Sequence, residues 1–136
     1  MPTSVGERVK AVLKELIEKE GASDFYVGNQ GDFDFAVWRA LGELKRERPY
    51  IKRTLVLAYM PKEKLFYAES GETLFPETVA AAHPRFAISK RNEWMISKSD
   101  TVITYVVRSG GAARFKEKAI KCGKRVIELS SPDESK

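Results

Sequence analysis

The chain has 136 residues, the size of one ordinary domain, and 43% of them are hydrophobic, enough for a single core. Its formal net charge of +5 suits an anionic ligand. It is no nucleic-acid signature, because Lys and Arg are spread along the chain and no RNA- or DNA-binding motif lies among them.

One cysteine, Cys122, and one histidine, His83, rule out an intrachain disulfide and a typical zinc site. No stretch approaches the ~20 apolar residues of a membrane-spanning helix. The N-terminal MPTSVGERVK has no apolar signal core, so a cytoplasmic location is expected. No cofactor is called for.

Ser4 to Glu20 reads as an amphipathic helix, with Val5, Val9, Val12, Leu13, Leu16 and Ile17 on one face. Ser4 and Glu7 form an S-x-x-E capping box, and Gly21 supplies the stop. A helix at the start of an α/β chain is unusual, because such helices follow a strand. Asp24 to Val27 is a short strand, followed by Gly28-Asn29-Gln30-Gly31 and a helix from about Asp32 to Arg48. Phe33, Val37, Leu41 and Leu44 make its inner stripe. Strand, glycine turn and helix offer backbone N–H groups to a phosphate. The turn is not the G-x-G-x-x-G fingerprint, and a plain tight turn with Asp32 as N-cap reads equally well.

Pro49 ends that helix, and Arg53 to Tyr59 is an apolar run of the kind a doubly covered strand shows. Lys62 to Pro84 is an irregular excursion with a short helix near Glu77 to Ala82. It is either a functional lid or a packing flap or dimer contact. Phe66, Tyr67 and Phe75 either stack on a base or anchor the loop. Phe86 to Lys98 is a helix with Ile88, Met95 and Trp94 inward and Lys90, Arg91, Asn92 and Lys98 on the other face. Thr101 to Val107 is β-branched and strand-like. The turn Arg108-Ser109-Gly110-Gly111 leads into a helix from Ala112 to Cys122, with Cys122 in the core. Arg125 to Leu129 is the last strand, and 130–136 is a polar tail. The alternation predicts a single α/β domain over 1–129, with a parallel sheet covered by helices on both faces.

Three features are expected to converge at strand ends: Gly28 to Gly31, Arg91, and Ser109 to Ala112. Glycines before a helix let backbone approach a phosphate, and the helix dipole favours its charge. Arg91 either holds a phosphate by a bidentate contact or sits on a solvated face. Glu117 is either an acid, base or charge stabiliser for breaking an N-glycosidic bond, or a surface residue beside Lys116 and Lys118. Asp34 and Asp100 are caps or ligand contacts.

Together these stretches resemble the SLOG superfamily, the Rossmann-like group that includes the DNA-processing protein A family and the LOG-type phosphoribohydrolases. The likeness is to small bacterial members and runs from about Gly21 to Leu129. It rests on VGNQGDFD, on RFAISKRNEWMISKSDTVITYV, on the Gly-Gly turn and on KRVIEL. Arg91, Met95, Ser99 and Asp100 match the LOG spacing. Gly110, Gly111 and Glu117 match the motif P-G-G-x-G-T-x-x-E, in which Ser109 replaces Pro, Ala113 replaces Gly and Arg114 replaces Thr. The resemblance implies a Rossmann-like fold and a nucleotide or nucleotide-derived phosphate bound by Gly28, Asn29, Gly31, Asp34, Arg91, Ser109, Gly110, Gly111 and Ala112. The alternative it implies is a phosphoribohydrolase with Arg91 and Glu117 as the catalytic pair. It also implies a homodimer. Small relatives begin with a strand and a loop like F-x-G-H ahead of the first helix. That strand is expected to be missing here: either the true start lies upstream, or the fold has repacked or borrows a strand from a partner chain.

Overall fold

The structure, a computed structural model, describes residues 4–29, 31–60 and 72–131. Helix α1, Ser4–Glu20, follows from its apolar stripe: Val5, Val9, Leu13, Leu16 and Ile17 are all buried. It stops at Gly21, whose φ of 72° is left-handed, and the Ala22 N–H closes back onto the Leu16 carbonyl at 3.1 Å. Strand β1, Asp24–Val27, leads into α2, Asp32–Glu47, and β2, Lys52–Val56. Then come β3, Glu72–Leu74, the short α3, Glu77–Ala80, and a 3₁₀ turn at Pro84–Phe86. Helix α4, Ala87–Lys98, β4, Thr101–Thr104, α5, Gly111–Lys121, and β5, Arg125–Glu128, complete the order.

Every strand pairing is parallel, and helices cover both faces, so the fold is Rossmann-like α/β. The strands form two half-sheets, β1-β2-β3 and β4-β5. Register runs from Asp24↔Lys52 to Val27↔Leu55 in the first and from Thr101↔Arg125 to Thr104↔Glu128 in the second. Helices α1 and α2 lie on one face, where Val9, Leu13, Leu41 and Leu44 pack on Val27, Leu55 and Ile103. On the opposite face Ile96 of α4 and Ala119 of α5 pack on Val102. Successive residues of β4, Val102 and Ile103, thus enter different cores, as strand alternation requires. Among the described residues no strand lies between β1 and β4, whose edges face each other across a cleft.

Several expectations are corrected. The N-cap of α2 is Gly31, at φ 154°, and Asp32 is already helical. A three-residue strand, β3, lies inside the stretch read as irregular. It forms because β2 offers it a ladder, which Leu57 extends by donating to the Leu74 carbonyl at 2.8 Å. In α4 the buried residues are Ala87, Arg91 and Ile96, whereas Ile88 is exposed, so the inward face is turned from the predicted one. Cys122 is exposed at the end of α5 rather than in the core. Phe75 packs against the core and so anchors its segment. Phe66, Tyr67 and the first part of the excursion (62–71), with 132–136 of the tail, lie outside the described residues.

Candidate functional site

A cleft of about 720 Å³ runs between β1 and β4. At the C-terminal end of β1 its wall holds Gly28, Gly31, Asp34 and Arg91, and from the other half-sheet Gly111 and Ala112. Six of the residues predicted to bind ligand are therefore brought to one cavity. Asn29, Ser109 and Gly110 belong to the same two turns but do not line it. Glu117 lies outside the cleft and is exposed on α5. Its neighbours point elsewhere: Lys116 reaches Glu128 at 3.1 Å, and Lys118 reaches Ser89 Oγ at 2.9 Å. Asp100 and Ser99 line the cleft at its other end, ahead of β4.

Arg91 is the centre of the site. Only 3% of it is exposed, although its neighbour Lys90 is exposed and pairs with Glu93. Asn92 Oδ1 accepts from its Nε at 3.2 Å and its Nη2 at 3.0 Å. Its Nη1 is buried with no hydrogen-bond partner. Burial pushes the guanidinium pKa down, and the nearby Asp34 and Tyr59 oppose that shift. A guanidinium stays charged even so. A buried cation with an unmatched donor is costly unless something supplies the missing acceptor.

Gly28 makes room for it. A Cβ at Gly28 would stand 2.9 Å from Arg91 Nη1 and 3.1 Å from Asp34 Oδ2. Gly28 has no positive φ, so alanine fits the backbone there and the conflict is with side chains, first Arg91 and then Asp34. Gly28→Ala is expected to destabilise the fold by about 1–2 kcal/mol through overpacking. The check is a urea midpoint in a double-mutant cycle with Arg91→Ala, in which the penalty falls below about half. An unchanged penalty in the Arg91→Ala background would assign it to another contact.

Both turns at the rim end in glycine N-caps. Gly31 has φ 154° and Gly110 φ 141°, values that L side chains rarely adopt, and neither helix has a side-chain cap. The first N–H groups of α2 and α5 therefore have no capping side chain and carry the positive end of the helix dipole. Phe33 and Tyr105 meet across the rim at 5.7 Å between ring centroids.

Glu128 was not anticipated as structurally important. It accepts from Thr104 Oγ1 at 2.7 Å, the Val106 N–H at 2.8 Å and the Ser130 N–H at 3.1 Å, and so ties the turn after β4 to β5. Burial opposes its ionisation, but the bonds from Ser130, Val106 and Thr104 outweigh this and hold its pKa at about 2 against an ordinary 4.5. A lowered folded pKa gives stability that is complete above the unfolded value and is lost as pH falls through the folded one. Glu128→Gln is therefore expected to cost on the order of 2 kcal/mol at neutral pH. In urea titrations the gap from the unmodified chain narrows between pH 4.5 and about 2, the window between the two pKa values. A gap independent of pH would show that the charge is not what holds the turn.

Among the described residues no helix is long and apolar enough to cross a membrane. No known protein family matches the chain, and no curated protein matches it either. A solved structure of a pyridoxal 5'-phosphate-dependent aspartate racemase aligns at TM-score 0.33 and 14% identity, over 92% of this chain and 46% of that one. The chain spans less than half of that relative, and an overlap at this level carries no argument about fold or chemistry.

Proposed function

We propose that the chain binds a nucleotide or nucleotide-derived phosphorylated ligand at the C-terminal end of β1. The observation that carries this reading is Arg91, a buried cation whose Nη1 lacks an acceptor beside the cleft. A phosphate oxygen would supply that acceptor, and the glycine-capped starts of α2 and α5 would add N–H groups to it. Asp34 stands close to Arg91 and lines the same cavity. A carboxylate there repels a bare anion but accepts from hydroxyl or amino groups, which favours a phosphorylated sugar or nucleoside over free phosphate. The SLOG resemblance points to the same ligand class. The hydrolase alternative needs Arg91 and Glu117 on one substrate, and Glu117 lies outside the cleft, so binding is the reading adopted.

The test is thermal unfolding with AMP, ADP, ribose 5-phosphate and inorganic phosphate. Ligand at 100 times Kd adds about 2.7 kcal/mol, which raises Tm by roughly 10 °C in a domain of this size. Inorganic phosphate is expected to give a smaller rise. No rise with any of the four sinks the reading. Free base appearing from AMP would instead put the hydrolase first. Sedimentation of the same samples tests the homodimer that the resemblance implies.

A further inference from the structure

We propose that Asn92 is the positioning residue of the site: it holds the Arg91 guanidinium by one edge, leaves the Nη1 end to the ligand, and does so as a neutral acceptor that does not compete with a phosphate for the charge. The proposal rests on the reading of Arg91 as the cation that meets the ligand.

A guanidinium can grip an acceptor along either of two edges, Nε with Nη2 or Nη1 with Nη2. Asn92 Oδ1 takes the first, at 3.2 Å from Nε and 3.0 Å from Nη2. Nη1 is buried and has no hydrogen-bond partner. One edge is thus anchored and the other end is left chemically open. With the Nε edge occupied, a phosphate meets Arg91 end-on through Nη1 and Nη2 rather than side-on.

Helix geometry alone does not produce this clamp. Successive residues on a helix lie about 100° apart and do not face each other. The contact exists because the Arg91 side chain curls along α4 toward the amide. Gly28 bounds the opposite side, where a Cβ would stand 2.9 Å from Nη1 and 3.0 Å from Cζ. Between the amide and the bare glycine backbone the guanidinium has one placement, and Arg91 and Asn92 both line the cleft. A side chain ordered before the ligand arrives lowers the entropic cost of binding.

That the clamp is an amide is the informative part. At the surface Arg48 pairs with Glu18 and Glu47, and Arg125 pairs with Glu20. Arg91, only 3% exposed, would gain more from an ion pair than either, and its clamp is neutral. The charge of Asp34 already favours the charged guanidinium, and Asp34 lines the same cleft. A second carboxylate, at position 92, would turn the balance negative and repel a phosphate. The amide supplies the acceptor without the charge, so the positive charge of Arg91 stays available to the ligand.

Two variants and two readouts separate this role from a structural one. The first readout is exchange of the Arg91 Nε–H with water, followed by nuclear magnetic resonance without ligand. It is expected to be slow in the unmodified chain and at least about 10-fold faster in Asn92→Ala, which removes the acceptor. The second is AMP affinity by calorimetry, set beside the urea midpoint of the unliganded chain. Asn92→Ala is expected to weaken AMP about 10-fold. Asn92→Asp keeps the acceptor, so the Nε–H stays slow and the midpoint rises, because charge-assisted bonds are stronger. Its AMP affinity nevertheless falls about 10-fold or more. A purely structural side chain moves midpoint and affinity together, whereas Asn92→Asp moves them in opposite directions. Unchanged Nε–H exchange in Asn92→Ala, or AMP bound by Asn92→Asp as tightly as by the unmodified chain, overturns the proposal. Failure of the underlying reading looks different and overturns it from the ligand's side: the unmodified chain binds no AMP, ribose 5-phosphate or inorganic phosphate, while its Nε–H exchange still depends on Asn92.

Discussion

Arg91→Met is expected to abolish nucleotide binding while leaving the unliganded fold at least as stable. The two effects come from the same fact. Arg91 is 97% buried, and its Nη1 has no acceptor. Without ligand, the guanidinium sits desolvated, held by Asn92 and the nearby charge of Asp34. Methionine fills a similar volume, removes the unmatched donor and does not need hydration, so the apo protein keeps its stability or gains. With ligand, the substitution removes the one buried cation among the described residues that lines the cleft at this end of β1. Loss of one partner of a buried charged contact costs about 2–4 kcal/mol, roughly 30- to 1,000-fold in Kd. The measurement pairs urea unfolding without ligand with calorimetric titration of AMP. A variant that unfolds early yet still binds AMP normally would make Arg91 a structural residue and move the site elsewhere. Arg91→Lys is the finer control: it keeps the charge but loses the planar fork, and is expected to recover only part of the affinity.

How far the sequence could reveal this site differs from residue to residue. The order of elements was legible because burial imposes period: Val5, Val9, Leu13, Leu16 and Ile17 of α1 are all buried, as their spacing required. The glycine turns were legible because helices α2 and α5 start where Gly31 and Gly110 permit a conformation that other residues avoid. The burial of Arg91 was not. Between Lys90 and Asn92 it reads as part of a polar face, and only the missing side chain of Gly28, distant in sequence, lets it turn inward. Its clamp by Asn92 was equally hidden, because adjacent residues on a helix do not face each other by spacing alone. Strand β3 carries Glu72, Thr73 and Leu74, all exposed, and shows no alternation; its ladder with β2 defines it. Nothing in the run Arg125 to Leu129 marks Glu128 out, because the N–H groups that make it a clamp lie beyond each strand end, at Val106 and Ser130. The SLOG resemblance pairs Arg91 with Glu117; Arg91 is buried beside the cleft, whereas Glu117 is exposed on α5 and does not line it.

Leu41→Ala should be the most damaging single truncation in the fold, and its contrast with Leu13→Ala tests the architecture of the cleft. Both side chains belong to the core between α1, α2 and the sheets, at 0% and 1% exposure. Leu41 is closed in on all sides and does not line the cleft. Its removal leaves an apolar void that water does not fill, so both the transfer and the cavity contributions are lost, about 4–5 kcal/mol. Leu13 lines the cleft, so the space left by Leu13→Ala opens onto an existing cavity rather than creating a sealed one. Its cost is expected near 3 kcal/mol, the lower part of the range. Urea midpoints at equal m-value check the order.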